Sequence, residues 1–331
     1  MKEIIYTKLL SKNLVKYRLK KEKEFNDLAK YIAKRILLAI VSIWIITMIT
    51  FFAMNAIPGG PFNKEKATSP AVIATLEARY NLDKPVGEQY VLYMKNLLHG
   101  DWGISLHSGR PIWADMISKF SVSAKLGGRA AIVAIIIGII LGAIAALNRN
   151  KLPDRLIIFF TTLGTAMPSF VLATLLLLVF CVRLGWFPVV SLSSEPNYTL
   201  PVIALAVYPM AYITRLTKTS MLDALNQDYI RTARAKGVSK VKVIFLHALR
   251  NALIPVITYV GPMVAYILTG SMVVENIFTI GGLGSTFVTS ITNRDYTTIM
   301  AVTIFLAILM VVANLLTDIV YKFVDPRIKL D

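Results

Sequence analysis

The sequence predicts an all-α polytopic membrane protein with six transmembrane helices and both termini in the cytoplasm. Three observations carry that prediction. Hydrophobic residues make up 56% of the 331 residues and charged ones only 17%, with a mean hydropathy of +0.62; a soluble domain is roughly 45–50% apolar even with Gly counted. Six apolar segments reach or approach the roughly 20 residues of helix that cross a bilayer. The Lys and Arg residues lie alternately densely and sparsely in the stretches between those segments.

The elements follow in order. The first span is 36–57 (ILLAIVSIWIITMITFFAMNAI), behind a basic segment at 1–35. Its apolar core is too long for a cleaved signal and no small-x-small site follows it, so it reads as a span that stays. The outer loop 58–129 holds two short helices. Ser69-Pro70 suits an N-cap with Pro at the first helical position, leading into AVIATLEARY. EQYVLYMKNLLH forms the second and stops at Gly100. The remaining spans are 130–148, 156–182, 199–214, 253–274 and 299–321. The fourth is short and extends into its polar flanks. A cytoplasmic loop covers 215–252 and a tail 322–331.

Orientation comes from charge. Eleven Lys or Arg fall in 1–35, three in 149–155, eight in 215–252 and three in the tail. The opposite stretches hold nine in the long loop 58–129, one in 183–198 and one in 275–298. Positive charge marks the cytoplasmic side, and long loops weigh least because they cross largely regardless of charge. The alternation of the short loops supports six spans.

The net charge of +17 suits loops facing anionic lipid. A nucleic-acid binder could be as basic but would not need membrane-length apolar runs, so nucleic acid is not an expected partner. The first five spans carry no Asp, Glu, Lys or Arg, and the sixth has only Asp318. Proton-coupled transporters place charged relays at that depth, so this absence argues against one; sodium coupling through backbone carbonyls stays open. No GxxxxGK[ST] occurs, and GGLGST at 281–286 lacks the Lys of a phosphate loop. No catalytic residues are assigned. The lone Cys181 sits in an apolar run, and His99, His107 and His247 make no metal-ligand pattern. Pro168-Ser169, Pro209 and Gly261-Pro262 interrupt three spans, either as packing kinks or as the lining of a wet path.

The 228–256 stretch, DYIRTARAKGVSKVKVIFLHALRNALIPV, carries six basic residues and one acid. Two helical arms, MLDALNQDYIRTARAK and KVKVIFLHALRNAL, flank Gly237, which can supply the turn. Such a hairpin is either a docking element for a partner or an amphipathic loop on the membrane surface.

Here the chain resembles the permease subunits of binding-protein-dependent ABC importers. Their cytoplasmic loop carries Glu-Ala-Ala, three residues, then Gly. This sequence has Arg231-Thr232-Ala233 and then Gly237 at that spacing, so Arg stands where the motif has Glu. YIAKRIL, AIPGGPF, ARYNLDKPVGEQY, LLHGDWGIS, SAKLGG, PSFV, ITRLTKTSML, TGSMVVE, GGLG, NRDYT and DPRI also match in order. Together they resemble the B-type subunit of an oligopeptide importer. PGGPF with SAKLGG points to that branch over its dipeptide or nickel relatives.

The resemblance implies an ABC importer permease fold. It also implies a second homologous permease subunit, two ATPase subunits on the cytoplasmic face and an external peptide-binding protein. ATP and Mg would then belong to the ATPase partners, with no cofactor in this chain. The coupling loop would comprise Tyr229, Arg231, Ala233, Arg234, Ala235, Gly237 and Val238. For the substrate pathway the candidates are Ser169, Tyr208, Met263, Met272 and Glu275, with Glu275 at the outer membrane interface. A stand-alone channel or secondary transporter is the alternative of another class.

Overall fold

The structure is a computed structural model that describes residues 31–57, 77–78, 80–189, 197–268 and 271–324. The basic segment 1–30, the Ser69-Pro70 helix start and most of the C-terminal tail lie outside these residues. The described part is almost wholly helical. It comprises α1 (Tyr31–Ala56), α2 (Val86–Leu98), α3 (Ile112–Leu147), α4 (Leu152–Ala166), α5 (Ser169–Arg183), α6 (Thr199–Leu225), α7 (Asp228–Ala235), α8 (Lys240–Leu268), α9 (Met272–Ile277), α10 (Leu283–Asn293) and α11 (Tyr296–Val324). Five helices are long and apolar enough to cross a membrane, and the pair α4–α5 makes a sixth crossing if it is one broken span.

That break corrects the reading of 156–182 as one helix. Met167 stands before Pro168 in extended conformation, and the axes of α4 and α5 differ by 103°. A residue before proline is pushed out of the helical region, and the proline offers no N–H to carry the ladder on. Other boundaries move too. The second span begins at Ile112 rather than 130, which removes the last part of the expected outer loop. The fourth continues to Leu225. The fifth ends at Leu268, and its expected last turn belongs to the separate α9.

Close packing centres on α3 and α6. From Gly127 to Ala146 the buried face of α3 consists of Gly and Ala. A Cβ on Gly138 would stand 2.8 Å from the Ile213 methyl, and one on Gly142 2.5 Å from the Thr217 Cβ. Lipid chains are as apolar as the helices, so helices associate in the bilayer through such close approach rather than through a hydrophobic drive. On α8, Gly261 likewise sits directly against Thr317 of α11.

On the outer side α2 packs against α1 and α11. Tyr90 meets Phe51 with ring centroids 5.3 Å apart and shares a 2.8 Å hydrogen bond with Thr47. Burial pushes the Tyr93 phenol on the same helix well above its usual range. At the cytoplasmic end, Asp318 pairs with Arg35 at 3.3 Å and accepts from Tyr31 at 2.9 Å, which ties the first span to the last.

Candidate functional site

The cytoplasmic loop is built from a break and a turn. α6 carries MLDAL to its end at Leu225, so the first arm of the expected hairpin is shorter than the sequence suggested. Gln227 is extended, and α7 begins at Asp228. α7 ends in a Schellman arrangement: Val238 N–H donates to the Ala233 carbonyl at 3.2 Å, and Gly237 N–H to that of Arg234 at 3.0 Å. Gly237 takes φ +73°, the left-handed conformation this cap requires and glycine adopts without strain.

The hairpin is held by its apolar side. Ile230 and Ala233 are buried with Met221 and Ala224 of α6, Ala146 of α3, and Val243, Ala248 and Ala252 of α8. Val238 packs on the same cluster, the hydrophobic contact that accompanies a Schellman cap. The opposite side is open: Tyr229, Arg231, Arg234, Ala235 and Gly237 are all exposed. Among the described residues Arg231 pairs only with its neighbour Asp228, at 3.6 Å, and screening makes such an exposed pair weak.

Above the hairpin, Lys218 of α6 pairs with the nearly buried Asp154 of α4 at 2.5 Å. Asp154 also accepts from the Asn150 backbone N–H at 2.9 Å. The cytoplasmic ends of α3, α4 and α6 are therefore tied together where α7 docks.

A second constellation lies on the outer side, at the start of α10. Glu275 on α9 is fully buried. Its Oε1 accepts from Ser123 Oγ of α3 at 2.7 Å and its Oε2 from Ser285 N–H at 3.1 Å, while Ser123 Oγ accepts from Leu283 N–H at 2.8 Å. Two side chains from other helices thus take the orphan donors of the first turn of α10, where the helix dipole also favours a carboxylate. Gly282 fits only because it lacks a Cβ, since one would meet Glu275 Oε2 and Ser123 Oγ. Burial pushes the Glu275 carboxyl above its usual range, and these hydrogen bonds oppose that shift.

Asp295 caps α11 in a similar way. It accepts from Thr298 Oγ1 at 2.8 Å and from Ser105 Oγ at 2.5 Å and Leu106 N–H at 3.1 Å, so the loop after α2 is fastened to the last span.

The expected path residues lie on four different helices. Met263 is buried in the core between α6 and α8, and Glu275 serves the α10 cap rather than an open outer interface. Ser169 opens α5 and is half-buried, and Met272 opens α9, which packs on α5. Tyr208 is exposed on α6. Sequence reasoning missed the Ser123–Glu275 pair and the buried glycine stripe. The spacing of Gly138 and Gly142, a small-xxx-small pattern inside a span, was the available signal for the stripe. No local signal announces contacts 152 residues apart. No group of three or more metal-binding side chains occurs among the described residues.

Tightly packed spans, a helix pair bent at Pro168 and the hairpin between α6 and α8 fit the membrane-embedded fold of ABC transporter permeases. In comparisons with solved structures, the chain matches an amino acid ABC transporter crystallised with histidines at TM-score 0.52 and 17% identity, over 63% of this chain and 94% of that one. It matches the MetNI methionine ABC transporter at TM-score 0.51 and 14% identity, over 65% and 98%. At such identities the likeness concerns fold alone.

The chain belongs to the family of binding-protein-dependent transport system inner membrane components. That family matches residues 138–330, and its N-terminal counterpart matches 28–126. Relatives include the dipeptide transport system permease protein DppB of Bacillus subtilis, 47% identical over 92% of this chain and 99% of its own length. The oligopeptide transport system permease protein OppB of Haemophilus influenzae is 42% identical over 91% and 99%. The Escherichia coli OppB is 40% identical over the same shares.

Proposed function

We propose that this chain is a permease subunit of an ATP-driven importer that moves oligopeptides into the cytoplasm by alternating access. In this reading it pairs with a second homologous permease. Two ATPase subunits, which carry the ATP and Mg, bind the cytoplasmic face, and an external binding protein delivers the peptide. The 47% identity to a dipeptide permease favours a second reading, in which the same architecture carries dipeptides.

The observation that carries the coupling role is the two-sided α7 hairpin. Ile230, Ala233 and Val238 root it on three spans, while Tyr229, Arg231, Arg234, Ala235 and Gly237 face outward. A rigid-body change imposed on the outward face would pass to α3, α6 and α8 through that root.

Gly237→Glu tests this. A Cβ meets nothing within 4 Å there, so the cost is the left-handed backbone, about 1–2 kcal/mol, confined to the cap. The variant is expected to reach the membrane at normal level and to lose peptide uptake. Uptake at the wild-type rate would remove the coupling role. Uptake of labelled dipeptides against longer peptides separates the two substrate readings.

A further inference from the structure

The side chains that the spans leave exposed differ from helix to helix. On α3 they include Ile132, Ile136 and Ile140, and on α4 Phe159 and Phe160, as expected for faces that meet lipid. On α6 from Thr199 to Thr214, and on α8 beyond the exposed Val241, Phe245 and Leu246 at its start, they are different. Between Thr199 and Thr214 the most exposed large side chains are Tyr208 (49%) and Tyr212 (43%). Between Arg250 and Leu268 it is Tyr266 (74%).

These residues form a column. Tyr208 and Tyr212 are one turn apart on α6, and Tyr259 and Tyr266 are two turns apart on one face of α8. Tyr212 and Tyr259 join the helices by stacking at 4.2 Å between centroids. Tyr208 and Tyr212 lie nine and thirteen residues from Thr199, so about 14 and 20 Å down the helix at 1.5 Å per residue. Tyr259 lies at a comparable depth from Leu268, and Tyr266 sits near the outer end. The hydroxyls of Tyr208, Tyr212 and Tyr259 have no hydrogen-bond partner among the described residues.

Leaving a hydroxyl unbonded in hydrocarbon costs roughly 2–7 kcal/mol, and apolar partner helices would offer no relief. Three such hydroxyls on one face therefore require water or a polar ligand. Resting on the reading of this chain as a peptide permease, we propose that Tyr208, Tyr212, Tyr259 and Tyr266 line the peptide path and hydrogen-bond to the peptide backbone. A phenol donates to a backbone carbonyl and accepts from a backbone N–H. Every peptide carries both groups whatever its side chains, so the column grips the substrate without reading its sequence. It carries no charge, and weak contacts repeated at several depths let the peptide move on.

The test uses the assembled transporter in membrane vesicles with Cys181, the native cysteine, replaced by Ala. Single variants Tyr208→Cys, Tyr212→Cys and, as a lipid-facing control, Ile136→Cys are treated with a water-soluble maleimide. Labelling at 208 and 212 but not at 136 is expected, slowed at least fivefold by saturating peptide. No labelling at 208 and 212, or labelling indifferent to peptide, overturns the proposal. In a second arm, the triple variant Tyr208→Phe, Tyr212→Phe, Tyr259→Phe should need about tenfold more peptide for half-maximal uptake. It should also lose the wild type's preference for a peptide over its fully N-methylated form. An unchanged half-maximal concentration and preference overturn the column. A wild-type transporter that takes up no peptide at all instead refutes the underlying permease reading, and maleimide access at 208 and 212 still reports whether the face is wet.

Discussion

Replacing Glu275 probes how far the outer side depends on one carboxylate. Glu275→Gln keeps an oxygen for the Ser123 hydroxyl but presents an amide to the Ser285 N–H, leaving that donor unbonded. Glu275→Ala removes both acceptors, now 2.7 and 3.1 Å from their donors. An orphaned buried donor costs about 1–3 kcal/mol, which puts Gln at about 1–3 and Ala at about 2–6. Both variants also relieve the cost of burying a charge, and by the same amount. The difference between them, about 1–3 kcal/mol, is therefore the quantity to measure. Thermal unfolding in detergent should rank Gln above Ala, and hydrogen exchange at the first turn of α10 should be quicker in Ala than in Gln. An Ala variant that melts with the Gln variant and keeps its amide protection would refute the account.

The same group gives a pH dependence. Burial raises the Glu275 carboxyl above 4.5, so the folded chain holds this proton more tightly than the unfolded chain does. Its contribution is fully present below pH 4.5 and declines as pH rises through the folded-state value. In Glu275→Gln that decline should vanish from a pH series of melting curves.

Two further outcomes follow from packing. Gly142→Leu should destabilise by about 1–3 kcal/mol, because Thr217 and the Thr214 carbonyl occupy the space a side chain would need. Gly128→Ala, inside the same helix and with nothing within 4 Å, should cost nothing and gain about 0.4–1 kcal/mol. At the cytoplasmic end, Lys218→Met alone should cost about 3–5 kcal/mol by stranding the nearly buried Asp154, and adding Asp154→Asn should recover much of it. A double-mutant cycle in thermal unfolding checks this, and additive losses would contradict it.

The cytoplasmic hairpin shows how much of a site was legible in advance. The four-residue spacing from Ala233 to Gly237 was visible, and so was the need for glycine at a turn. Its cause is the cap: a Schellman turn places its left-handed residue four positions after the carbonyl that receives the next N–H. The burial of Ala233 beneath Val238 belongs to the same cap. Arg231 could be placed on the motif but not on a face, and its exposure became visible only once α7 was docked. For the path residues the outcome was different. Met263 and Tyr208 are apolar or aromatic residues in apolar spans, and periodicity alone does not say which side of a helix meets a neighbour.

The sequence by itself determined that this protein is an all-helical membrane protein, and where its apolar runs and its basic stretches lie. Those properties depend on the length of apolar runs and the placement of Lys and Arg, which are sums over local residues. It marked the prolines but not which of them break a helix: Pro168 does, whereas Pro209, Pro255 and Pro262 stand inside continuous helices. Only the tertiary structure decided what the polar residues among the spans do. Glu275 caps a helix eight residues further on together with Ser123 from another span, Asp154 meets Lys218, and Asp318 meets Arg35. A buried polar group is stable only beside its partner, and here several of those partners come from distant parts of the chain that packing alone brings together.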